Sequence, residues 1–230
     1  TKDNDFFFLQ RNNETAVMQT VVGLVSERLP RTYGYSPIAD IQVLTPQRQG
    51  ELGVHAINNR LQEVINPKSA SKKEFKGLFC TFREGDKVMQ IKNNYDMEWT
   101  KKEETGLGVF NGDIGIIKMI DTPTATIVID FEDRICNYSF EMAVELELAY
   151  AVTIHKSQGS EYDAVVLPIF GGYDKLYFRN LLYTAVTRAK KMLIVVGSRN
   201  RVDYMVQNNR KMLRYTNLRG FICEAVTHEK

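Results

Sequence analysis

Cysteine is scarce in this chain. Three in 230 residues, Cys80, Cys136 and Cys223, stand far apart and form no CxxC pair. That spacing excludes a disulfide framework or a thiolate zinc site as an organising feature, and points to reduced thiols in a cytoplasm. No run of about 18 apolar residues occurs, so no segment is expected to span a membrane. The start, Thr1–Asp5, lacks the pattern of a signal peptide. Charge of one sign is in short supply too: 30 Lys and Arg face 28 Asp and Glu, a net +2. This excludes a strongly cationic coat for nucleic acid but leaves room for a local basic groove. No GxxxxGK[ST] string is present, and Gly171-Gly172 lacks the Lys-Ser/Thr that would have to follow. No loop of that kind cradles the β- and γ-phosphates of a nucleotide. No cluster of acids marks a metal site or a nuclease centre, so no metal ligands are expected.

What is present is ordinary for a folded protein: 43% hydrophobic and 25% charged residues, enough for one or two domains. Phe6–Leu9 reads as a buried strand. Val17, Val21, Leu24, Val25 and Leu29 recur at helical spacing over Glu14–Leu29, and Pro30 is expected to end that helix. Ile41–Leu44 reads as a second buried strand. A further helix runs from Gly53 to Ile65 and stops at Asn66-Pro67. This alternation indicates an α/β layer with a parallel sheet. From Phe82 to about Phe140 the pattern is β, with turn signals at Asn111-Gly112-Asp113 and Asp121-Thr122-Pro123. A small antiparallel barrel fits it. Strands at Leu148–Thr153, Ala164–Ile169 and Met192–Val196, with a helix at Phe178–Lys190, restore the α/β character. The expected organisation is one α/β domain, residues 1–75 and 142–230, interrupted by a β-insertion at 76–141.

Three polar segments sit at strand ends, where ligands of open α/β sheets bind. In Thr153–Glu161, Gly159 permits a tight turn, and Ser157 with nearby backbone N–H groups suits a phosphate. Lys156 adds charge, while Gln158 and Glu161 suit a sugar or base. An ordinary polar loop with a capping Ser fits the same residues. Arg188 closes the apolar helix of Tyr183–Lys190, where a solvated Arg favoured by the helix dipole is the plainer reading. Arg48 follows the strand Ile41–Leu44. Two arginines near strand ends of one sheet could converge on a polyphosphate through bidentate bonds.

Taken together these segments resemble a known family. Thr153–Glu161 looks like motif V of superfamily 1 helicases, and Tyr183–Lys190 (YTAVTRAK) like motif VI. Leu44–Gly53 (LTPQRQGELG) with its following helix resembles motif IV of the RecD branch. Phe82–Tyr95 (FREGDKVMQIKNNY) and Val109–Gly115 (VFNGDIG) are similar to the SH3-like barrel inserted in RecD-type enzymes. The resemblance covers nearly the whole chain, with the blocks in family order. It implies a RecA-like second motor lobe carrying an SH3-like barrel. It implies ATP and Mg2+ held mainly by an N-terminal RecA-like lobe that lies outside this sequence. Arg188 and Arg48 would be the arginine fingers. Gln158, Gly159 and Glu161 would lie near the nucleotide, and Thr153, His155, Lys156 and Ser157 toward single-stranded DNA. Movement would be 5′ to 3′, possible partners being other subunits of a recombination complex. The chain alone is expected to be inactive.

In the barrel, Tyr95, beside Asn93 and Asn94, is placed to stack on a base. Lys87, Lys92 and Lys118 are candidates for phosphate contact. A packing module that braces the lobe fits the same stretch. Trp99 reads equally as a DNA contact, a partner contact or a local plug. A non-catalytic DNA-binding adaptor that kept a helicase lobe is the alternative function.

Overall fold

Strands and helices alternate at both ends of the chain, and the middle is β alone. The computed structural model describes residues 4–209, so Cys223 lies outside it. In chain order come β1 (Phe6–Gln10), α1 (Glu14–Gly23), a π-turn (Leu24–Arg28), α2 (Leu29–Tyr33), β2 (Ile41–Thr45) and α3 (Val54–Ile65). Next are β3 (Glu74–Lys76), β4 (Thr81–Arg83), β5 (Lys87–Gln90), β6 (Asn94–Lys101), β7 (Glu104–Val109), β8 (Ile114–Asp121), β9 (Thr126–Phe131) and β10 (Arg134–Ser139). A 3-10 turn (Glu141–Glu145) leads to β11 (Leu146–Leu148). Then follow β12 (Ala151–Thr153), a 3-10 turn (Ile154–Ser157), β13 (Tyr162–Ile169), α4 (Arg179–Val186), β14 (Ala189–Gly197) and α5 (Arg199–Gln207).

Five strands form a parallel sheet in the order β1-β14-β13-β2-β12. Alternate residues point to opposite faces, so each face builds its own core. Val43, Val166 and Ile194 pack on one side with Val17 and Val21 of α1 and Ile57 and Leu61 of α3. Leu44, Val165 and Val195 pack on the other with Leu181 and Ala185 of α4 and Met205 of α5. Each such buried aliphatic side chain contributes roughly 1.5–3 kcal/mol. β1 is an edge strand, and Phe6 remains 53% exposed rather than buried.

The first helix does not stop at Pro30. The Leu29 N–H donates to the Leu24 carbonyl, a five-residue step that opens a π-turn. Pro30 then falls in the first turn of α2, where its missing N–H costs little. The chain leaves α2 at Gly34, whose φ is +75°.

Seven strands form an antiparallel sheet in the order β11-β5-β8-β9-β10-β6-β7. Both strong turn signals are turns, but they differ in kind. Asp121-Thr122-Pro123 closes a true hairpin between β8 and β9. Asn111-Gly112-Asp113 joins β7 and β8, which are not neighbours, and its backbone bonds to Gln90 instead. Among the described residues no ladder joins β11 to β7, so the expected closure into a barrel is not made by strand pairing.

The stretch Leu148–Thr153 is not one strand. Its first residue closes β11 in the antiparallel sheet and its last three form β12 in the parallel one. The chain changes sheets at Ala149-Tyr150, and α3 clamps that crossing. Asn58, Gln62 and Asn66 fall four apart and form a buried amide stripe on α3. Asn58 donates to the carbonyls of Leu148 and Ala151 and accepts from the Ala151 N–H, at 2.8, 2.9 and 2.7 Å. Gln62, Asn66, the Arg83 N–H and the Tyr150 hydroxyl all donate to the fully buried carboxyl of Asp86. Burial pushes the Asp86 carboxyl up from the ordinary range, against the pull of those donors.

Candidate nucleotide and nucleic-acid edges of the parallel sheet

All strands of the parallel sheet run one way, so its two edges carry different chain segments. Register fixes which. Thr153 lies beside Thr45 where β12 and β2 end. Tyr162 lies beside Ala189 where β13 and β14 begin. The loop Ile154–Glu161 must therefore travel from the carboxyl edge to the amino edge. It spans a sheet whose strand β2 is about five residues deep, roughly 16 Å.

At the carboxyl edge, the Thr153 hydroxyl accepts from the Lys156 N–H at 3.3 Å and so caps the 3-10 turn. His155 is exposed there. Ser157 is fully buried, and its hydroxyl donates to the Ile154 carbonyl at 2.8 Å. In this structure the Ser157 hydroxyl holds the turn. Arg48 follows β2 at this same edge and is half exposed. Its guanidinium meets the carboxylate of Glu147, which also accepts from Lys156 Nζ at 3.2 Å. Glu147, on β11, is only 12% exposed.

At the amino edge, Gly159 has φ +91° with open space where a side chain would stand. A residue other than glycine is strained there. Gln158 and Glu161 are exposed beside it. Arg188 occupies the turn between α4 and β14, since the helix ends at Val186 and Ala189 already pairs. Its Nη1 donates to the Ser160 carbonyl at 2.9 Å, and its own carbonyl accepts from the Tyr162 N–H at 2.9 Å. The two segments singled out as motifs V and VI are thus bonded in both directions. Burial raises the pKa of the Tyr162 phenol, with Arg188 pulling the other way.

The sheet does not bring Arg48 and Arg188 together. One follows the carboxyl end of β2 and the other precedes the amino end of β14, so they sit at opposite edges. By backbone register the two arginines leave from opposite strand ends. Arg48 belongs with Thr153, His155 and Lys156.

A cleft of about 550 Å³ separates the amino edge from the antiparallel sheet. Gly159–Tyr162 line one wall, and Asp113, Asp130, Glu132 and Asp133 line the other. Two of those acids are neutralised by cations, Asp113 by Arg134 at 3.1 Å and Asp130 by Lys118 at 3.2 Å. Lys87 lies at its base. It is 3% exposed, bonded at 3.3 Å to the Ile41 carbonyl, and burial lowers its pKa to about 8. The reading of Lys87 as a phosphate contact is corrected, because its ammonium is sealed between the two sheets.

In the antiparallel sheet, Tyr95 is 65% exposed and meets Phe110 edge-on at 5.8 Å. Asn94 is half-buried and donates to Glu145 at 3.1 Å. Lys118 is paired with Asp130. Trp99 packs within the sheet across from Gly106, where even a methyl group would collide with the indole at 2.3 Å. Of the three readings of Trp99, the local plug is the one this packing supports. Glu145 and Glu147 are functional candidates that sequence reasoning misses. The string Val144-Glu145-Leu146-Glu147-Leu148 does alternate, which signals a strand with one polar face, but not which donors that face meets. No helix among the described residues is long and apolar enough to cross a membrane.

Comparison with known proteins bears on the whole arrangement. Residues 57–131 match the family described as the ATP-dependent RecD-like DNA helicase SH3 domain. Residues 148–196 match the UvrD-like helicase C-terminal domain. The chain is 34% identical over 158 residues to the ATP-dependent RecD2 DNA helicase of Deinococcus radiodurans, covering 69% of this chain and 20% of that protein. It is 28% identical over 178 residues to the RecBCD enzyme subunit RecD of Mycolicibacterium smegmatis, covering 77% of this chain and 28% of that one. The chain thus spans under a third of the length of either relative. Among solved structures, the Pif1 helicase from Bacteroides in complex with ADP-AlF3 and ssDNA is similar at TM-score 0.46 and 16% identity, over 95% of this chain and 55% of that one. The chain belongs to the RecD-like superfamily 1 helicases and carries part of their C-terminal region.

Proposed function

We propose that this chain is the second RecA-like motor lobe of an ATP-dependent DNA helicase that moves 5′ to 3′, with its two sheet edges serving two ligands. The observation that carries the reading is the loop Ile154–Glu161, which runs from one edge to the other and is bonded to Arg188 at its far end. A change at one edge has a short covalent path to the other. The domain organisation that goes with this reading is a lobe of residues 1–75 and 142–230 carrying a β-insertion at 76–141.

The amino edge is the nucleotide side. Gly159 leaves open space, Gln158 and Glu161 offer exposed polar groups, and Arg188 supplies a guanidinium. Two of the three Arg188 side-chain bonds are long, 3.3 Å each, so the group can re-aim at low cost. These residues fit the γ-phosphate end of ATP, while the cradle for its other phosphates and for Mg2+ belongs to an N-terminal lobe. Bound there, ATP supplies the free energy of its hydrolysis to the cycle of lobe closure. Arg188 stabilises the charge that develops on transfer, the arginine-finger role. Glu161 is placed for the ribose.

The carboxyl edge is the single-stranded DNA side. Thr153, His155, Lys156 and Arg48 face it, and Ser157 holds the turn from beneath. Asn94 and the exposed Tyr95 extend the surface across the antiparallel sheet, where an aromatic ring suits a base. Partners on this reading are the N-terminal lobe of the same protein and, in a RecBCD-like setting, other subunits. The testing experiment is single-strand-stimulated ATP hydrolysis by this chain and by the longer protein of the same gene. Silence of the chain with activity of the longer protein supports the reading. Hydrolysis by the chain alone overturns it.

A further inference from the structure

We infer that Glu147 and Glu145 act as built-in surrogates for DNA phosphate, occupying the DNA-binding donors of the carboxyl edge when no strand is bound. The inference rests on the single-stranded DNA reading of that edge. It adds two residues to which neither motif nor family likeness assigns a part.

The geometry is specific. Glu147 holds Arg48 through one carboxylate oxygen and Lys156 through the other. These cations come from two different segments, the loop after β2 and the turn after β12, while Glu147 comes from the antiparallel sheet. Two residues earlier, Glu145 Oε2 accepts from Gln90 Nε2 at 2.9 Å and from Asn94 Nδ2 at 3.1 Å. Just before the β5–β11 ladder begins, the Glu145 carbonyl accepts from the Ile91 N–H at 2.8 Å. The two carboxylates therefore come from residues two apart, where the 3-10 turn passes into β11. Each anion is clasped by two donors, and three of the four donors are residues proposed to meet DNA. The two anions offer these donors the kind of negative oxygen that a nucleic-acid phosphate would offer.

Burial decides the strength of the device. Glu147 is 12% exposed and Lys156 23%, so their pair is screened less than a surface ion pair, whereas Arg48 is 52% exposed and is readily drawn away. A phosphate arriving at this edge must displace a carboxylate rather than meet bare cations. Grip on the strand is thereby weakened, and fewer counterions are released on binding. A motor that steps along a strand needs such a limited grip, because a tightly held phosphate must be released at each step.

The test is fluorescence anisotropy of a labelled oligo-dT, without nucleotide, over a series of KCl concentrations. It uses the full chain as wild type, Glu147→Gln, Lys156→Ala and the double variant. Glu147→Gln is expected to bind roughly threefold to tenfold more tightly. Its log–log salt slope should steepen by up to about one. In the Lys156→Ala background most of that gain should disappear. Equal or weaker binding by Glu147→Gln, with an unchanged melting temperature, overturns the surrogate role and leaves the DNA edge intact. If Glu147→Gln also melts lower, Glu147→Asp decides: a retained carboxylate that restores both the melting temperature and the wild-type affinity supports the surrogate, and one that restores the melting temperature yet binds as tightly as Glu147→Gln overturns it. Failure of all variants to bind, with no effect of Lys156→Ala, overturns the DNA reading itself.

Discussion

Arg48 and Arg188 stand at opposite edges of one parallel sheet, Arg48 after the last residue of β2 and Arg188 before the first of β14. Both follow the same local rule, a long cation placed next to a strand end. Because the strands are parallel, the rule sends them to different ligands. The separation gives each arginine its own expected phenotype.

Arg188→Ala in the full-length helicase is expected to lower single-strand-stimulated ATP hydrolysis on the order of 10³-fold or more. Affinity for single-stranded DNA should stay within about twofold, a bound set by the distance between edges. Steady-state kinetics and equilibrium binding on the same preparation check this. A matching loss of DNA affinity would remove Arg188 from the finger role.

Arg48→Ala and Lys156→Ala should show the reverse. Each is expected to weaken oligo-dT binding and to flatten the salt slope by about 0.7, the share of one phosphate contact on a single strand. The turnover number at saturating DNA should hold. An Arg48→Ala enzyme as slow as Arg188→Ala would mean the edge assignment is wrong for Arg48.

Asn58→Ala tests the crossing between the sheets. It removes three buried hydrogen bonds to Leu148 and Ala151 and leaves their backbone groups unpaired. The expected loss of stability is about 2–4 kcal/mol, read by urea denaturation. A loss below about 1 kcal/mol would show that the crossing is held by other bonds, such as those from Gln42 Nε2 to the Ala149 and Tyr150 carbonyls.

Lys87 gives a pH dependence of known sign. Burial lowers its pKa to about 8 from 10.5, so the folded state releases a proton that the unfolded chain keeps. Below about pH 8 the folded chain carries the full cost of a buried ammonium, and that cost is relieved as pH rises toward 10.5. Other buried groups act oppositely there: the Cys136 thiol is pushed up to about 11 by burial. The stability of wild type relative to Lys87→Met isolates the lysine. That difference should move in favour of wild type by roughly 3 kcal/mol between those pH values. A flat difference would mean that the ammonium is solvated after all.

Much of the fold is legible in the sequence. The β-only stretch between Phe82 and Phe140 and the hairpin at Asp121-Thr122-Pro123 follow from local signals that act over a few residues. The segments Thr153–Glu161 and Tyr183–Lys190 stand out because polar residues interrupt apolar periodicity at strand ends. Pro30 misleads because a proline is normally a stop, and nothing local announces that a π-turn at Leu24–Arg28 will absorb it. Lys87 misleads because a lysine in an alternating strand normally faces water, whereas a second sheet covers this one.

Local sequence is enough to specify the elements and their order, since helical and strand periodicities, turns and caps are set by neighbours along the chain. Motif strings that keep their order are enough for the family. What those residues face is a matter of packing. Strand direction separates Arg48 from Arg188, the change of sheet at Ala149-Tyr150 brings Glu147 to Arg48 and Lys156, and the amide stripe of α3 finds its partners only once that crossing forms. These relationships join residues up to 99 positions apart. No local signal encodes them, because they follow from which strand lies beside which and in what direction it runs.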